Sequence, residues 1–393
     1  MRRKLFLTVI GFFFLSVIFG SDVSVSKEKI KEEETYKNIE LFIDAMRIVE
    51  QDYVKEVKEK DLIYGALKGM LMSLDPYSAF LEPEIKKELQ IETKGEFEGV
   101  GMEITLKDGI ITVVSPIEDT PAWKAGVKAG DRIIKINGES TKGMTTLEAA
   151  KKLRGKRGTK VKISIMRKNV PKLIEIEIIR DVIKVKSVKS KEFGNIGYTR
   201  ITEFQERTPV DLEKVLKKFN KENKKGLIID LRNNPGGLLT SAIEVSELFL
   251  PKGKLIVYTE GRRKEDKSIF RSRKNPVWEK PVVLLVNEGS ASASEIVFGA
   301  LKDNYKEFSS VGKKTFGKGS VQNLIPLSDG SALKLTIAHY YTPSGVCIEG
   351  KGIKPDYIVK LPEDKQILPA TKEDTQFQKA KEVLKELIKK YEK

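Results

Sequence analysis

The sequence predicts a multidomain α+β protein: a helical N-terminal segment, a compact β-rich domain, an α/β core and a C-terminal helix. Apolar residues recur at helical spacing through Ile39, Phe42, Ile43, Met46 and Val49. Short strands with glycine punctuation follow, and after them five-residue runs such as Gly226 to Asp230 and Val282 to Val286 alternate with helical stretches. At 393 residues the chain exceeds one ordinary core, given roughly 150 residues per domain, so several folded units are expected.

Taken in order, residues 1–26 open with Arg2-Arg3-Lys4 and an unbroken apolar run from Leu5 to Phe19. That is the pattern of an export signal, and both a cleaved signal peptide and an uncleaved membrane anchor fit it. Residues 27–89 read as helical and end at Ser73-Leu74-Asp75-Pro76, where the proline opposes continuation. Residues 90–180 form the β-rich domain, with helical patches at Ala122 to Ala125 and Thr146 to Leu153. Residues 181–361 are the α/β core, with helices expected near Thr208 to Phe219, Leu239 to Phe249 and Ser294 to Leu301. Residues 362–393 are a charge-rich helical tail.

The charge balance, 72 Lys and Arg against 56 Asp and Glu, gives a formal +16. Acids are interleaved with the bases, as in Lys27-Glu28-Lys29, and no arginine stripe with aromatics appears, so nucleic acid is not an expected partner. An anionic membrane surface suits this charge better. One cysteine, Cys347, precludes an intrachain disulfide and a Cys-rich zinc site; one histidine, His339, precludes a multi-imidazole metal centre.

The chemistry is concentrated in three segments. Asn287 to Ile296 follows a buried strand and opens a helix, where exposed amides and the positive dipole end favour a developing oxyanion. Ser292 there is placed to attack a carbonyl, yet Ser292-Ala293-Ser294-Glu295 also fits a helix capping box. A serine nucleophile needs a base. His339 is one candidate, although strand alternation accounts for it equally well. Lys318, framed by Gly317 and Gly319, is the other: an amine desolvated in an apolar cleft has its pKa lowered toward the working range, and Gln322 could orient it. Gly312 to Lys318 also matches part of a phosphate-binding loop, but Gly319 stands where a hydroxyl must reach magnesium and a strand is expected next. Asp230 to Gly237 is a turn-forming run at a strand end whose glycine amides could join that of Ala293 around an oxyanion. In the β-rich domain, Gly99-Val100-Gly101-Met102 leads into a strand and could seat a chain-terminal carboxylate on consecutive amides.

Together these segments resemble the carboxy-terminal processing peptidases, or tail-specific proteases, over roughly residues 39–359. The matching series runs Ala66-Leu67-Lys68-Gly69-Met70, Ser73-Leu74-Asp75-Pro76, Gly126-Val127-Lys128-Ala129-Gly130-Asp131, Leu153-Arg154-Gly155, Leu231 to Gly237, Ser290 to Glu295, Gly317 to Gln322 and Thr342-Pro343-Ser344-Gly345. The resemblance implies a PDZ-like domain before an α/β serine peptidase core. It implies a Ser292–Lys318 catalytic pair assisted by Gln322, with Ser290 and Ser294 as bystanders. Oxyanion donors would come from Ala293 and from Gly236 or Gly237, and substrate tails would bind at Gly99, Val100, Gly101 and Met102. No cofactor or metal is implied. The expected substrates are unfolded or partly folded proteins with apolar C-termini, cleaved through an acyl-enzyme and gated by tail docking. An exported protein, periplasmic or on the extracytoplasmic face of the membrane, is expected. The helical ends suggest a homodimer, and an adaptor protein is left open. Tyr305 to Ser310, between nucleophile and base, is expected to be a surface loop.

Overall fold

The computed structural model describes residues 15–361 and 367–393, with side chains from residue 33. The export-signal segment therefore lies largely outside the described residues. The chain divides into two compact units, Met1–Glu82 and Pro83–Lys393.

In the first unit a long helix, Leu15–Asp52, is followed by helix Glu59–Met72 and a short strand, Ala79–Leu81. The proline-marked helix end is a turn built on Asp75. Its carboxylate accepts the Tyr77 and Ser78 amides at 2.7 and 2.8 Å and the Ser78 hydroxyl at 2.6 Å. Side chains from the second helix and the strand meet as Tyr64 against Phe80, edge to face with centroids 4.8 Å apart.

The second unit opens with helix Pro83–Lys94 and then builds the β-rich domain. Its sheet runs Met102–Lys107, Ile110–Pro116, Arg132–Ile136, Lys160–Met166 and Ile174–Ile179, with Met102–Lys107 at an edge. Helices Pro121–Lys124 and Thr146–Leu153 fall where the sequence places them, the latter started by a Thr145–Glu148 capping box. Ile111, Val113, Ile133, Ile163, Ile165 and Ala149 pack between these layers.

The α/β core is a sheet in the order Val188–Phe193, Ile196–Ile201, Gly226–Asp230, Val282–Val286, Phe308–Gly312, Tyr357–Ile358, parallel apart from the first pair. Alternate residues of each central strand point to opposite faces, and both faces are covered. Leu227, Ile229, Val282 and Leu284 meet helices Thr208–Lys221, Leu239–Glu247 and Ala293–Asn304. Ile228, Val283 and Leu285 meet Phe377, Val383 and Leu384 of helix Thr375–Tyr391. An antiparallel layer of Ser320–Pro326, Ala332–Tyr341, Leu255–Gly261 and Ser268–Arg271 flanks the core.

Two expectations change. The C-terminal segment is no detached tail, because its apolar stripe covers the second sheet face so closely that a Cβ on Gly226 would lie 2.8 Å from Leu384 Cδ1. Only residues 305–307 of the expected surface loop form a turn, with Lys306 exposed: Phe308–Gly312 pairs in parallel with Val282–Val286, and Tyr305 donates its hydroxyl to the Lys280 carbonyl at 2.8 Å. Ser310 in this strand is satisfied inside, since Asp356 accepts its hydroxyl at 2.7 Å and its amide at 3.0 Å.

Leu384→Ala should lower stability by about 2–5 kcal/mol if the C-terminal helix is part of the core, read from chemical or thermal unfolding; a change within error would mean the helix contributes little to it.

Candidate active site

Strand Val282–Val286 ends at the segment carrying Ser292, which is the first residue of a turn into helix Ala293–Asn304. Ser292 has φ +55° and ψ −114°, outside the regions an L-residue ordinarily occupies, at a cost of roughly 1–3 kcal/mol. Such strain persists only where neighbours impose it, and here they are identifiable.

The main one is Glu295, fully buried one turn into the helix. One of its carboxylate oxygens accepts both the Ser292 amide and the Lys318 amide at 2.9 Å. The other accepts the Gly317 amide at 2.8 Å and the Thr315 hydroxyl at 2.6 Å. Burial pushes the Glu295 carboxyl above its ordinary value, and these four bonds oppose the shift. The capping-box and nucleophile readings of Ser292 thus coexist, because the Glu295 half of the box also ties in the lysine segment.

A second brace comes from the loop after strand Gly226–Asp230. Ser290 donates its hydroxyl to the Leu231 carbonyl at 2.8 Å, and Ser294 donates to the Asn234 carbonyl at 3.0 Å, so both flanking serines are buried ties. The Asn234 carbonyl also accepts the Ala291 amide at 3.0 Å, while its side-chain oxygen accepts the Gly236 amide at 2.9 Å. Gly236 has φ +111°, and a Cβ there would lie 2.8 Å from Ser292 Cβ, so only glycine lets the two turns approach.

Ser292, Ala293, Gly237, Lys318 and Gln322 line one cavity of about 670 Å³, whose apolar walls include Leu238, Leu239 and Val321. Lys318 is half-buried there. Desolvation pushes its amine below the ordinary lysine value, the nearby Lys334 charge adds to this, and Glu349 opposes it. Its carbonyl accepts the Tyr340 hydroxyl. Gln322 donates its amide to the Ser320 hydroxyl at 2.9 Å and to Thr336 at 3.3 Å, so its described bonds orient the strand beneath Lys318. His339 is exposed, next in sequence to cavity-lining Tyr340, and is not among the lining residues. After Lys318 the chain enters strand Ser320–Pro326 and not a helix, so the phosphate-loop reading lacks its structural partner.

Gly99 to Met102 lie apart from this cavity, where the chain enters the edge strand of the β-rich domain. Gly101 has φ +79°, and its carbonyl accepts the Thr120 hydroxyl at 2.8 Å. The edge strand faces helix Thr146–Leu153. Among the described residues no group of His, Cys, Asp or Glu side chains is arranged to hold a metal ion. Sequence reasoning missed Glu295 as a tie and Asn234 as a brace; the one signal for Glu295 was a carboxylate followed directly by the apolar run Ile296-Val297-Phe298.

Comparison with known proteins agrees with this arrangement. Peptidase family S41 matches at residues 195–359, a PDZ domain at 112–167, and the N-terminal domain of the activating protease CtpB at 8–85. A carboxy-terminal-processing protease of Bartonella bacilliformis is 45% identical over 367 residues, covering 92% of this chain and 84% of its own. The carboxy-terminal processing protease CtpA of Bacillus subtilis is 43% identical over 317 residues, covering 80% and 67%. A candidate S41 protease from Bacteroides fragilis shares the fold at 18% identity, with a TM-score of 0.51 over 86% of this chain and 92% of that one.

Glu295→Ala should strip four donors of their acceptor at about 1–3 kcal/mol each, lowering the melting temperature sharply or preventing folding; a melting temperature within a few degrees of wild type would show that the tie is not needed.

Proposed function

This chain belongs to peptidase family S41, the serine-type carboxy-terminal processing proteases, and carries a PDZ domain; from that premise we propose that Ser292 is its nucleophile and Lys318 its general base. The observation that carries the reading is that both residues line one cavity while a single Glu295 oxygen accepts both of their backbone amides. A neutral Lys318 amine would take the proton of the Ser292 hydroxyl as it attacks the scissile carbonyl, and then deliver that proton to the leaving amine. Water would release the acyl group by the reverse route.

For the oxyanion, the reading favours the amides of Ala293 and Gly237. The Gly236 amide is already taken by Asn234, whereas Gly237 lines the cavity. Gln322 acts on Lys318 through the strand it steadies.

Substrates are proposed to be unfolded or partly folded proteins whose apolar carboxyl ends dock at Gly99 to Met102. Gating has a physical route: helix Pro83–Lys94 contributes Leu89, Gln90 and Thr93 to the cavity wall. The same helix pairs Glu88 with Arg154 at 2.5 Å and Glu84 with Lys151 at 3.4 Å, at the end of the helix beside the tail-binding edge. A docked tail that shifts that helix would shift the wall.

Two further proposals concern the first unit. Helix Leu15–Asp52 exposes Tyr36, Ile39, Phe42, Ile43 and Val49 at helical spacing, which favours a homodimer; light scattering on Phe42→Lys should then report a monomer. Export is supported by the basic and apolar start of the chain, and cell fractionation tests it.

Ser292→Ala and Lys318→Ala should each lower kcat/KM on an unstructured apolar-tailed protein by roughly a thousandfold or more, while His339→Ala keeps it. Equal rates for wild type and Ser292→Ala would remove the assignment. Since the folded Lys318 pKa is lowered, activity should rise with pH through a value below that of free lysine. Between that value and lysine's ordinary one the unfolded chain binds the proton the folded chain has lost, so stability should rise with pH across this window, and Lys318→Met should stabilise the protein near neutrality. Glu88→Gln should shrink the ratio of rates with and without an apolar tail severalfold; an unchanged ratio would exclude the ion-pair route.

A further inference from the structure

Beneath the loop that presents the proposed oxyanion glycine lies a buried ionic cluster that the chemistry above does not use. Arg232, 5% exposed, sits between two fully buried carboxylates, Asp230 from the end of its own strand and Asp374 from the start of the C-terminal helix. Its Nε bonds an Asp230 oxygen at 3.0 Å, and Nη2 reaches Asp230 at 2.6 Å and Asp374 at 2.7 Å. Nη1 reaches Asp374 at 2.9 Å and the Gln376 side-chain oxygen at 3.0 Å. Five donors meet five acceptors, so the guanidinium is held in one orientation from both sides. Asp374 is fixed in turn. It caps helix Thr375–Tyr391 by accepting the Phe377 amide at 3.0 Å, and it accepts the Ala370 amide at 3.0 Å.

The opposite side of the same loop is the brace already described, in which Leu231 and Asn234 accept from Ser290, Ala291 and Ser294 around Ser292. Between Arg232 and Gly237 there are only four residues, and the Arg232 amide itself donates to Asp230 at 3.0 Å. The position of the loop base therefore sets the position of the glycine amide.

We propose that Asp374 is a positioning residue for the hydrolytic reaction: through Arg232 it holds the Leu231–Gly237 loop in the register that aims the oxyanion donor at the carbonyl attacked by Ser292. The C-terminal helix is then part of the catalytic apparatus as well as a cover for the sheet. This rests on the Ser292 and oxyanion assignment made above. Asp374→Asn keeps the shape and a good helix cap but replaces one acceptor by an amide that turns a donor toward the Arg232 donors, loosening the loop at its base.

The test uses the full chain, a fluorogenic unstructured peptide with an apolar carboxyl end, and a peptide aldehyde of matching sequence whose tetrahedral adduct needs the oxyanion site. Per titrated active site, Asp374→Asn should lose about 10- to 100-fold in kcat with KM within twofold, and the aldehyde should weaken by the same factor. Ala380→Gly, on the same helix but outside the cluster, should lower the melting temperature and keep kcat per site. If Asp374→Asn does not fold, Gln376→Ala removes one of the five acceptors and should cost about threefold in kcat at constant KM. Wild-type kcat per site in Asp374→Asn, or in Gln376→Ala where that variant stands in, overturns the proposal, as does an equal kcat loss in Ala380→Gly. Turnover retained by Ser292→Ala would instead overturn the underlying assignment, so the two failures are distinguishable.

Discussion

The site depends on one buried carboxylate. Ser292 and Lys318 are 26 positions apart and belong to different layers, the serine to a turn of the α/β core and the lysine to the approach of an antiparallel strand. Glu295 joins them by accepting amides from both segments, and with no solvent competing those charge-assisted bonds are strong and directional. The same bonds restrain Ser292 in a backbone conformation it would not otherwise keep. A carboxylate buried in this way is costly unless its oxygens are filled, and four donors fill them.

The ionic cluster around Arg232 repeats this logic on the other side of Ser292. There the buried charges are opposite in sign and geometrically matched, and they link the end of a central strand to the start of the last helix. The Ser292 turn thus rests between two polar frameworks, and both stand on strands buried on two faces. Rigidity at the strand ends is what an oxyanion site requires, because donors already in place need no reorganisation as charge develops.

Electrostatics around Lys318 fit the same picture. Lys318 sits among apolar walls with Lys334 nearby, so its protonated form is disfavoured on two counts. The surface lysines play no comparable role: where they meet acids, as in Lys160–Glu177 and Lys217–Glu213, the exposed pairs are worth little each.

Periodicity and local chemistry determined much of this protein from the sequence alone. The continuous apolar runs around Ile229 and Leu284, the Thr145 helix start, the proline-marked turn at Asp75 and the glycines beside Lys318 are decided within a few residues, by sterics and side-chain reach. So was the choice of Ser292 and Lys318 over His339 as the pair worth examining, with the order of motifs supplying the rest. Partnership across long separations was decided only by the tertiary structure. Glu295 fits a helix cap by its own sequence, but the segment leading into strand Ser320–Pro326 brings the Lys318 amide to it, and Asp374, in the charge-rich tail, is reached by Arg232 from 142 positions away. Residues 308–310 fall within the expected loop, and Asp356, 46 positions away from Ser310, satisfies their serines inside a buried strand. A local pattern records what a side chain prefers; whether a polar group is buried and satisfied depends on which distant group the fold brings to it.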